Sequence, residues 1–158
     1  MKHKLLFVCL GNICRSPAAE EIMRELVEKA GMNKEFEIDS AGTYGGHAGE
    51  LPDKRMRVAA RNRGYDLAHI AREFQASDFE AFDLILTMDD ANYDDVRNWA
   101  TEKAHLEKVR RLTDFCTRHK IDHVPDPYYE GQGGFEFVLN ILEDACKNLL
   151  AGVLRKSK

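Results

Sequence analysis

Lysine and arginine never gather into a long stripe in this chain. No apolar run approaches the roughly 20 residues that a bilayer-spanning helix needs. The first absence, together with a net charge of −4 made of mixed signs, excludes the basic face of a nucleic-acid binder and the polybasic tail of a membrane-surface protein. The short cluster Lys108, Arg110, Arg111 reads as a solvated strand edge. The second absence leaves no membrane partner. The opening stretch KHKLLFVCLG is too short and too soon interrupted for a secretory leader, so a cytoplasmic protein is expected. Cysteine is scarce, with four in 158 residues. In a reducing compartment Cys9, Cys14, Cys116 and Cys146 should be thiols rather than a disulfide framework. No second Cys/His pair stands at zinc spacing from Cys9 and Cys14, so no metal or other cofactor is expected. Repeats, low-complexity tracts and linkers are also missing, and residues 1–158 read as one domain.

What is present is a regular alternation. Lys4–Cys9 is apolar and β-prone, as a buried parallel strand would be. Ser16-Pro17 reads as a helix start, with Ser16 as the cap and Pro17 in the first helical position. Ile22, Met23, Leu26, Val27 and Ala30 follow at helical period, and Gly31 ends the run. Further strands are expected at Glu35–Asp39, Phe82–Met88 and Lys108–Asp114. Further helices are expected at Lys54–Arg63, Asp89–Trp99 and Phe135–Leu154, with loops at 42–53 and 121–134. The last helix carries Phe135, Val138, Leu139, Leu142, Ala145, Leu149 and Val153 on one face. The order βαβαβαβα predicts an α/β fold, a three-layer α-β-α sandwich with a four-stranded parallel sheet and helices on both faces. Ligands in such sheets bind at the carboxyl ends of strands, near the switch point. The first strand ends at Cys9, so the turn after it is the leading site.

That turn, Cys9-Leu10-Gly11-Asn12-Ile13-Cys14-Arg15-Ser16, has the parts of an oxyanion cradle. Gly11 and Asn12 tolerate left-handed backbone angles, and such a turn can aim successive N–H groups inward. The following helix adds its N-terminal partial charge. Arg15 adds a planar fork suited to two phosphoryl oxygens. The Gly-Lys-Ser/Thr of a nucleotide-binding loop is absent, as is Gly-x-Gly-x-x-Gly. A sulfur stands there instead. Converging donors, a helix N-terminus and a guanidinium can lower a thiol pKa from about 8.5 to roughly 3.5–7.5. Cys9 is then a thiolate nucleophile that would form a phosphocysteine, with Ser16 hydrogen-bonded to the sulfur as it leaves. The plainer alternative is that Cys9 is a small buried hydrophobe.

Expelling an alkoxide or phenoxide needs a proton donor. Val124-Pro125-Asp126-Pro127-Tyr128-Tyr129 holds one carboxyl group between two prolines. Proline restricts its own φ and the residue before it, which stiffens the loop that carries Asp126. Tyr128 and Tyr129 offer aromatic faces for a substrate ring. An ordinary Asp-Pro turn is the alternative.

Taken together, VCLGNICRSPAAE near the start, DSAGT at 39–43 and VPDPYYEG at 124–131 resemble the low-molecular-weight protein tyrosine phosphatases. The resemblance runs from about residue 4 to the last helix. It implies metal-free hydrolysis of phosphotyrosine in proteins or peptides, and of small aryl phosphates, with inorganic phosphate and vanadate as inhibitors. It also implies a monomer or weak dimer. By position it implies Cys9 as nucleophile, Arg15 as phosphate clamp, Asp126 as general acid/base and Ser16 as donor to the sulfur. It implies that Asn12 holds the loop through Ser40 and His69; without it, His69 would be a surface or self-contained histidine. Cys14 matches the family's second loop cysteine, able to pair reversibly with Cys9 on oxidation, or else it is a packing residue. One stretch departs from the pattern. Where many members carry an aromatic cleft wall, this chain has Tyr44-Gly45-Gly46-His47, so the wall is absent or supplied by Tyr44.

Three rivals remain beside this reading. A thioredoxin-coupled arsenate reductase would need relay cysteines, and residues 87–106 contain none. A phosphoarginine phosphatase would carry Thr where Ile13 stands. A non-catalytic phosphate-binding module would need some defect in the set above.

Overall fold

The computed structural model describes residues 2–128 and 131–156. In chain order it contains β1 (His3–Cys9), α1 (Arg15–Lys29), β2 (Phe36–Gly42), α2 (Lys54–Arg61), α3 (Asp78–Ala81), β3 (Leu84–Thr87), α4 (Asp90–Asn98), α5 (Lys103–Lys108), β4 (Val109–Arg111) and α6 (Gln132–Lys156). The four strands form one sheet in the order β2-β1-β3-β4, every pair parallel. The chain first steps from β1 to one side, then crosses to β3 on the other. The carboxyl ends of β1 and β3 therefore flank the switch point, where a crevice opens.

Alternation along β1 builds both cores. Leu5, Phe7 and Cys9 face a large apolar layer with Ile22, Met23 and Leu142 from α1 and α6. Leu6 and Val8 face a smaller layer with Phe74, Phe79, Phe82 and Val96. Successive strand side chains point to opposite faces, so a strand buried on both sides reads as the unbroken LLFVC run. All seven residues assigned to the inner face of the last helix are buried. At the sheet edge, Arg111 of β4 pairs with Asp90, Lys108 donates to the Phe79 carbonyl, and Arg110 stacks over Phe115. Among the described residues no helix is long and apolar enough to cross a membrane.

Several boundaries differ from expectation. Helix α1 begins at Arg15 with Cys14 in the cap position, and no side chain caps it. Ser16 is thus not the cap and Pro17 is the third helical residue, where a missing N–H is still harmless because first-turn N–H groups have no intrahelical partner. The Ser16 hydroxyl is drawn instead toward Cys9 and Asn12. Strand β2 extends to Gly42 because its end pairs with Cys9 of β1. Strand β4 is only three residues, since the chain turns into a 3-10 segment at Leu112–Phe115. Helix α6 starts at Gln132, before the Phe135 at which apolar periodicity begins. Helices α3 and α5 are too short to show a period.

Candidate active site

The turn after β1 is held from outside by its carbonyls. Cys9 O accepts from Thr43 N at 2.9 Å, Leu10 O from Tyr44 N at 2.8 Å, and Ile13 O from Asp53 N at 2.7 Å. The backbone N–H groups of residues 10–14 donate to no acceptor among the described residues. A turn that spends its carbonyls outward and keeps its N–H groups unspent is an anion nest. Two backbone features permit it. Asn12 adopts φ +58°, a conformation asparagine tolerates better than most residues. Gly42 lies so close beneath that a Cβ there would stand 2.6 Å from Leu10 O.

Asn12 is fully buried and uses its whole side chain. Arg72 N–H donates to its Oδ1 at 3.0 Å, which fixes the orientation of the amide. Its Nδ2 then donates to Ser16 Oγ at 2.7 Å and Ser40 Oγ at 3.0 Å. The same Oδ1 accepts from His69 Nε2 at 2.8 Å, so the Nδ1 side of the ring faces Glu20 Oε1 at 3.1 Å. Ser40 Oγ donates to Glu20 Oε1 at 2.6 Å. Burial pushes the Glu20 carboxyl up to about 7, offset in part by Ser40 and Arg24. Burial likewise pushes His69 down, against the pull of Asp39. Ser16 has one hydroxyl proton and two acceptors for it, Cys9 Sγ at 2.9 Å and Ala41 O at 3.4 Å. It can therefore turn toward the sulfur when the sulfur is negative and away when it is not.

Arg15 is 2% exposed. Its Nη1 donates to Asp89 Oδ2 at 2.6 Å and to Val124 O at 3.0 Å. Its Nη2 lies 3.6 Å from Asp126 Oδ2. Burial would weaken its charge, but Cys9, Asp89 and Asp126 reinforce it. Val124 is tied on its other side to Met88 O at 2.7 Å. Asp126 closes an Asx turn by accepting Tyr128 N at 3.0 Å, so the acid loop is fastened at both ends of its Pro-Asp-Pro core.

Cys9, Leu10, Gly11, Ile13, Cys14, Arg15, Tyr44, His47, Asp126 and Tyr128 line one cavity of about 290 Å³. Its rim is aromatic: His47 stands edge-on to Tyr44 at 6.1 Å and 6.5 Å from Tyr128. Arg55 lies 5.2 Å over the Tyr128 ring while its guanidinium pairs with Asp53. Tyr44 folds over Gly46 so closely that a Cβ at 46 would meet its ring at 2.1 Å. Of the stretch 44–47, Tyr44 and His47 line the cavity. Tyr129, expected beside Tyr128, lies outside the described residues. Ser40 and His69 support the cradle from beneath without lining it.

Five participants were not read from the sequence. Asp89 lies two residues beyond the end of β3 at the switch point and caps α4, so the strand-end rule applied to TMDD would have found it. Glu20 follows Ser16 by one helical turn, and a carboxyl at that spacing on an inward face is a signal. The parts of Arg72, His47 and Arg55 depend on chain crossings that leave no local trace.

Cys9, Arg15 and Asp126 thus line one cavity together with the turn whose N–H groups are unspent. The sequence model described as low molecular weight phosphotyrosine protein phosphatase matches residues 4–158. A low molecular weight protein-tyrosine-phosphatase of Streptomyces coelicolor is 43% identical, with 97% of this chain and 94% of that protein covered. The human low molecular weight phosphotyrosine protein phosphatase is 35% identical, with 92% of each covered. A crystal structure of a protein tyrosine phosphatase from Entamoeba histolytica superposes with a TM-score of 0.96 at 43% identity, covering 99% of this chain and 100% of that one.

Proposed function

The chain belongs to the low molecular weight phosphotyrosine protein phosphatase family, and we propose that it hydrolyses phosphotyrosine through a phosphocysteine formed on Cys9. The observation that carries this reading is the set of unspent N–H groups around Cys9 Sγ with Arg15 held at their side. In the first step the Cys9 sulfur attacks phosphorus, and the P–O bond to the tyrosyl oxygen breaks. Protonated Asp126 gives that oxygen its proton, so tyrosine leaves neutral. The loop N–H groups and Arg15 bind the equatorial oxygens, whose charge is largest in the transition state. In the second step Asp126 takes a proton from water as the water attacks phosphorus. The P–S bond breaks, inorganic phosphate leaves, and Ser16 turns its hydroxyl toward the departing sulfur. The relative from Entamoeba was crystallised with Hepes, which carries a sulfonate, in its active site; a tetrahedral oxyanion fits the same reading of this cradle.

The experiment is hydrolysis of p-nitrophenyl phosphate with EDTA present, by the wild type and by Cys9→Ser. The wild type should turn over and be inhibited by vanadate. Cys9→Ser should lose turnover and keep oxyanion binding. Wild-type rates in Cys9→Ser would overturn the nucleophile. A panel of phosphotyrosine, phosphoserine, phosphoarginine and arsenate separates the substrate classes, and Ile13, which lines the cavity with Cys9 where a phosphoarginine phosphatase would carry Thr, favours the aryl ester.

A further inference from the structure

Thr43, one residue before Tyr44 of the cleft rim, lines a second depression with Asp95, Asn98 and Trp99. It is adjacent to the cradle, because Thr43 N is bonded to Cys9 O and Tyr44 N to Leu10 O. Trp99 is 48% exposed, an unusual place for the chain's one tryptophan. The indole stands at 70° to the Phe74 ring, 6.4 Å between ring centres, and remains half exposed. Asp95 is exposed, and its carboxylate makes no hydrogen bond or ion pair with any described residue. The Asn98 side chain is equally unengaged, and the Thr43 hydroxyl has no partner among the described residues.

The charges nearby do not fill this gap. On the same helix Asp90 is paired with Arg111, while Arg97 and Arg111 both stack over Tyr93 and do not line the depression. Asp94, like Asp95, is unpaired. Asn98 is the last residue of α4, so the depression lies at the helix's carbonyl end, whose partial charge is negative. A half-exposed indole, a free carboxylate and a helix C-terminus all favour a cation.

We propose that this depression is a subsite for a cationic side chain, arginine in particular, of the phosphotyrosine-bearing peptide. The inference rests on the phosphotyrosine reading of the Cys9 site and adds to it the charge of the flanking sequence. A guanidinium can lie flat on Trp99 while its fork reaches the Asp95 carboxylate, with Asn98 Oδ1 accepting a further N–H. Lysine, a compact and strongly hydrated charge, gains less from the ring. An extended peptide advances about 3.3–3.6 Å per residue, so the favoured arginine lies within a few residues of the phosphotyrosine.

The test is a set of phosphotyrosine peptides in which arginine is moved through the flanking positions on both sides, each matched by glutamine and glutamate versions. kcat/KM is measured for wild type, Asp95→Asn and Trp99→Ala, with p-nitrophenyl phosphate as the flank-free control. Both replaced side chains are exposed and lie outside the catalytic set. At one flanking position arginine should exceed glutamine by about tenfold in the wild type at low salt, from one partly exposed cation–π contact and one ion pair. Each substitution should bring that ratio toward one, high salt should shrink it, and control rates should not change. No arginine preference, a glutamate preference, or a preference that survives both substitutions would overturn the subsite while leaving the Cys9 chemistry intact. Failure to hydrolyse p-nitrophenyl phosphate at all would instead remove the phosphotyrosine reading, and this inference with it.

Discussion

His69 Nε2 lies 2.8 Å from Asn12 Oδ1 across 57 residues of chain, and this bond ties the loop between β2 and β3 to the floor of the anion cradle. Asn12→Ala should be the most damaging change that leaves Cys9, Arg15 and Asp126 in place. It removes bonds to Ser16, Ser40, His69 and the Arg72 N–H at once, and places alanine at φ +58°. Buried partners left without bonds cost about 1–3 kcal/mol and the left-handed backbone about 1–2 more. The midpoint of thermal unfolding should fall by about 5–15 °C. Loosening the cradle by about 1 Å should lower kcat by roughly 100-fold. His69→Ala, which breaks one of those bonds, should lose less on both measures. Equal rates in wild type and Asn12→Ala would show that the loop holds its shape without the network.

Glu20 gives that network a pH dependence with a definite sign. Burial raises its carboxyl pKa from 4.5 to about 7 in the folded chain. A raised pKa means that the stabilising, neutral form is complete below the unfolded value and is lost as pH rises through the folded one. Burial lowers His69, whose stabilising neutral form is instead lost as pH falls below its usual 6.5. Glu20→Gln keeps an acceptor for Ser40 and removes the first titration. The variant should therefore gain in unfolding midpoint relative to wild type as pH is taken from about 4.5 up to about 7. Parallel pH profiles for the two proteins would show that Glu20 does not titrate there.

How far the sequence could be read follows from how far each interaction reaches along the chain. Cys9, Gly11, Asn12, Arg15 and Ser16 are neighbours, and the strand and helix that flank them announce themselves by period, so the cradle was legible. Ser16 was misassigned as a cap because its hydroxyl has a stronger claim from Cys9 and Asn12 than from the helix N-terminus. The anchoring of Arg15 by Asp89 and the Val124 carbonyl joins positions 74 and 109 residues apart; the end of β3 points to Asp89, but nothing local marks the Val124 carbonyl. The departure at residues 44–47 was visible, but how the stretch packs was not. Only the fold brings the Tyr44 ring into the space that a side chain at 46 would take. Short elements such as α3, α5 and β4 were missed or stretched because three to six residues do not complete a pattern.

Asp126 should be needed in proportion to how poor the leaving group is. Its Oδ2 stands 3.6 Å from Arg15 Nη2, and its loop is fastened at Val124 and by the turn to Tyr128 N. General acid catalysis is worth about 10²–10⁴-fold when the departing oxygen needs a proton. Asp126→Ala should lose roughly that much on phenyl phosphate and far less on an aryl phosphate whose phenolate is stable. A plot of log kcat/KM against leaving-group pKa should be nearly flat for wild type and steep for the variant. Equal losses across the series would take Asp126 out of the acid role.

Oxidation offers a separate test of Cys14, which lines the same cavity as Cys9 and is 5% exposed. Peroxide would convert the Cys9 thiol to a sulfenic acid with release of water. Attack by Cys14 would then form the S–S bond and release a second water, protecting Cys9 from further oxidation. Burial, with Asp53, Cys9 and Asp126 adding to it, pushes the Cys14 thiol well above its usual range. The closing step should therefore be slow at neutral pH and quicken as pH rises, because the thiolate is the attacking form. Activity lost to mild peroxide should return with dithiothreitol in the wild type. In Cys14→Ser the same dose should leave a larger share irreversibly lost, with sulfinic acid at Cys9 in the peptide map. Equal recovery in both proteins, or a wild-type map with no peptide linking residues 9 and 14, would assign Cys14 to packing alone.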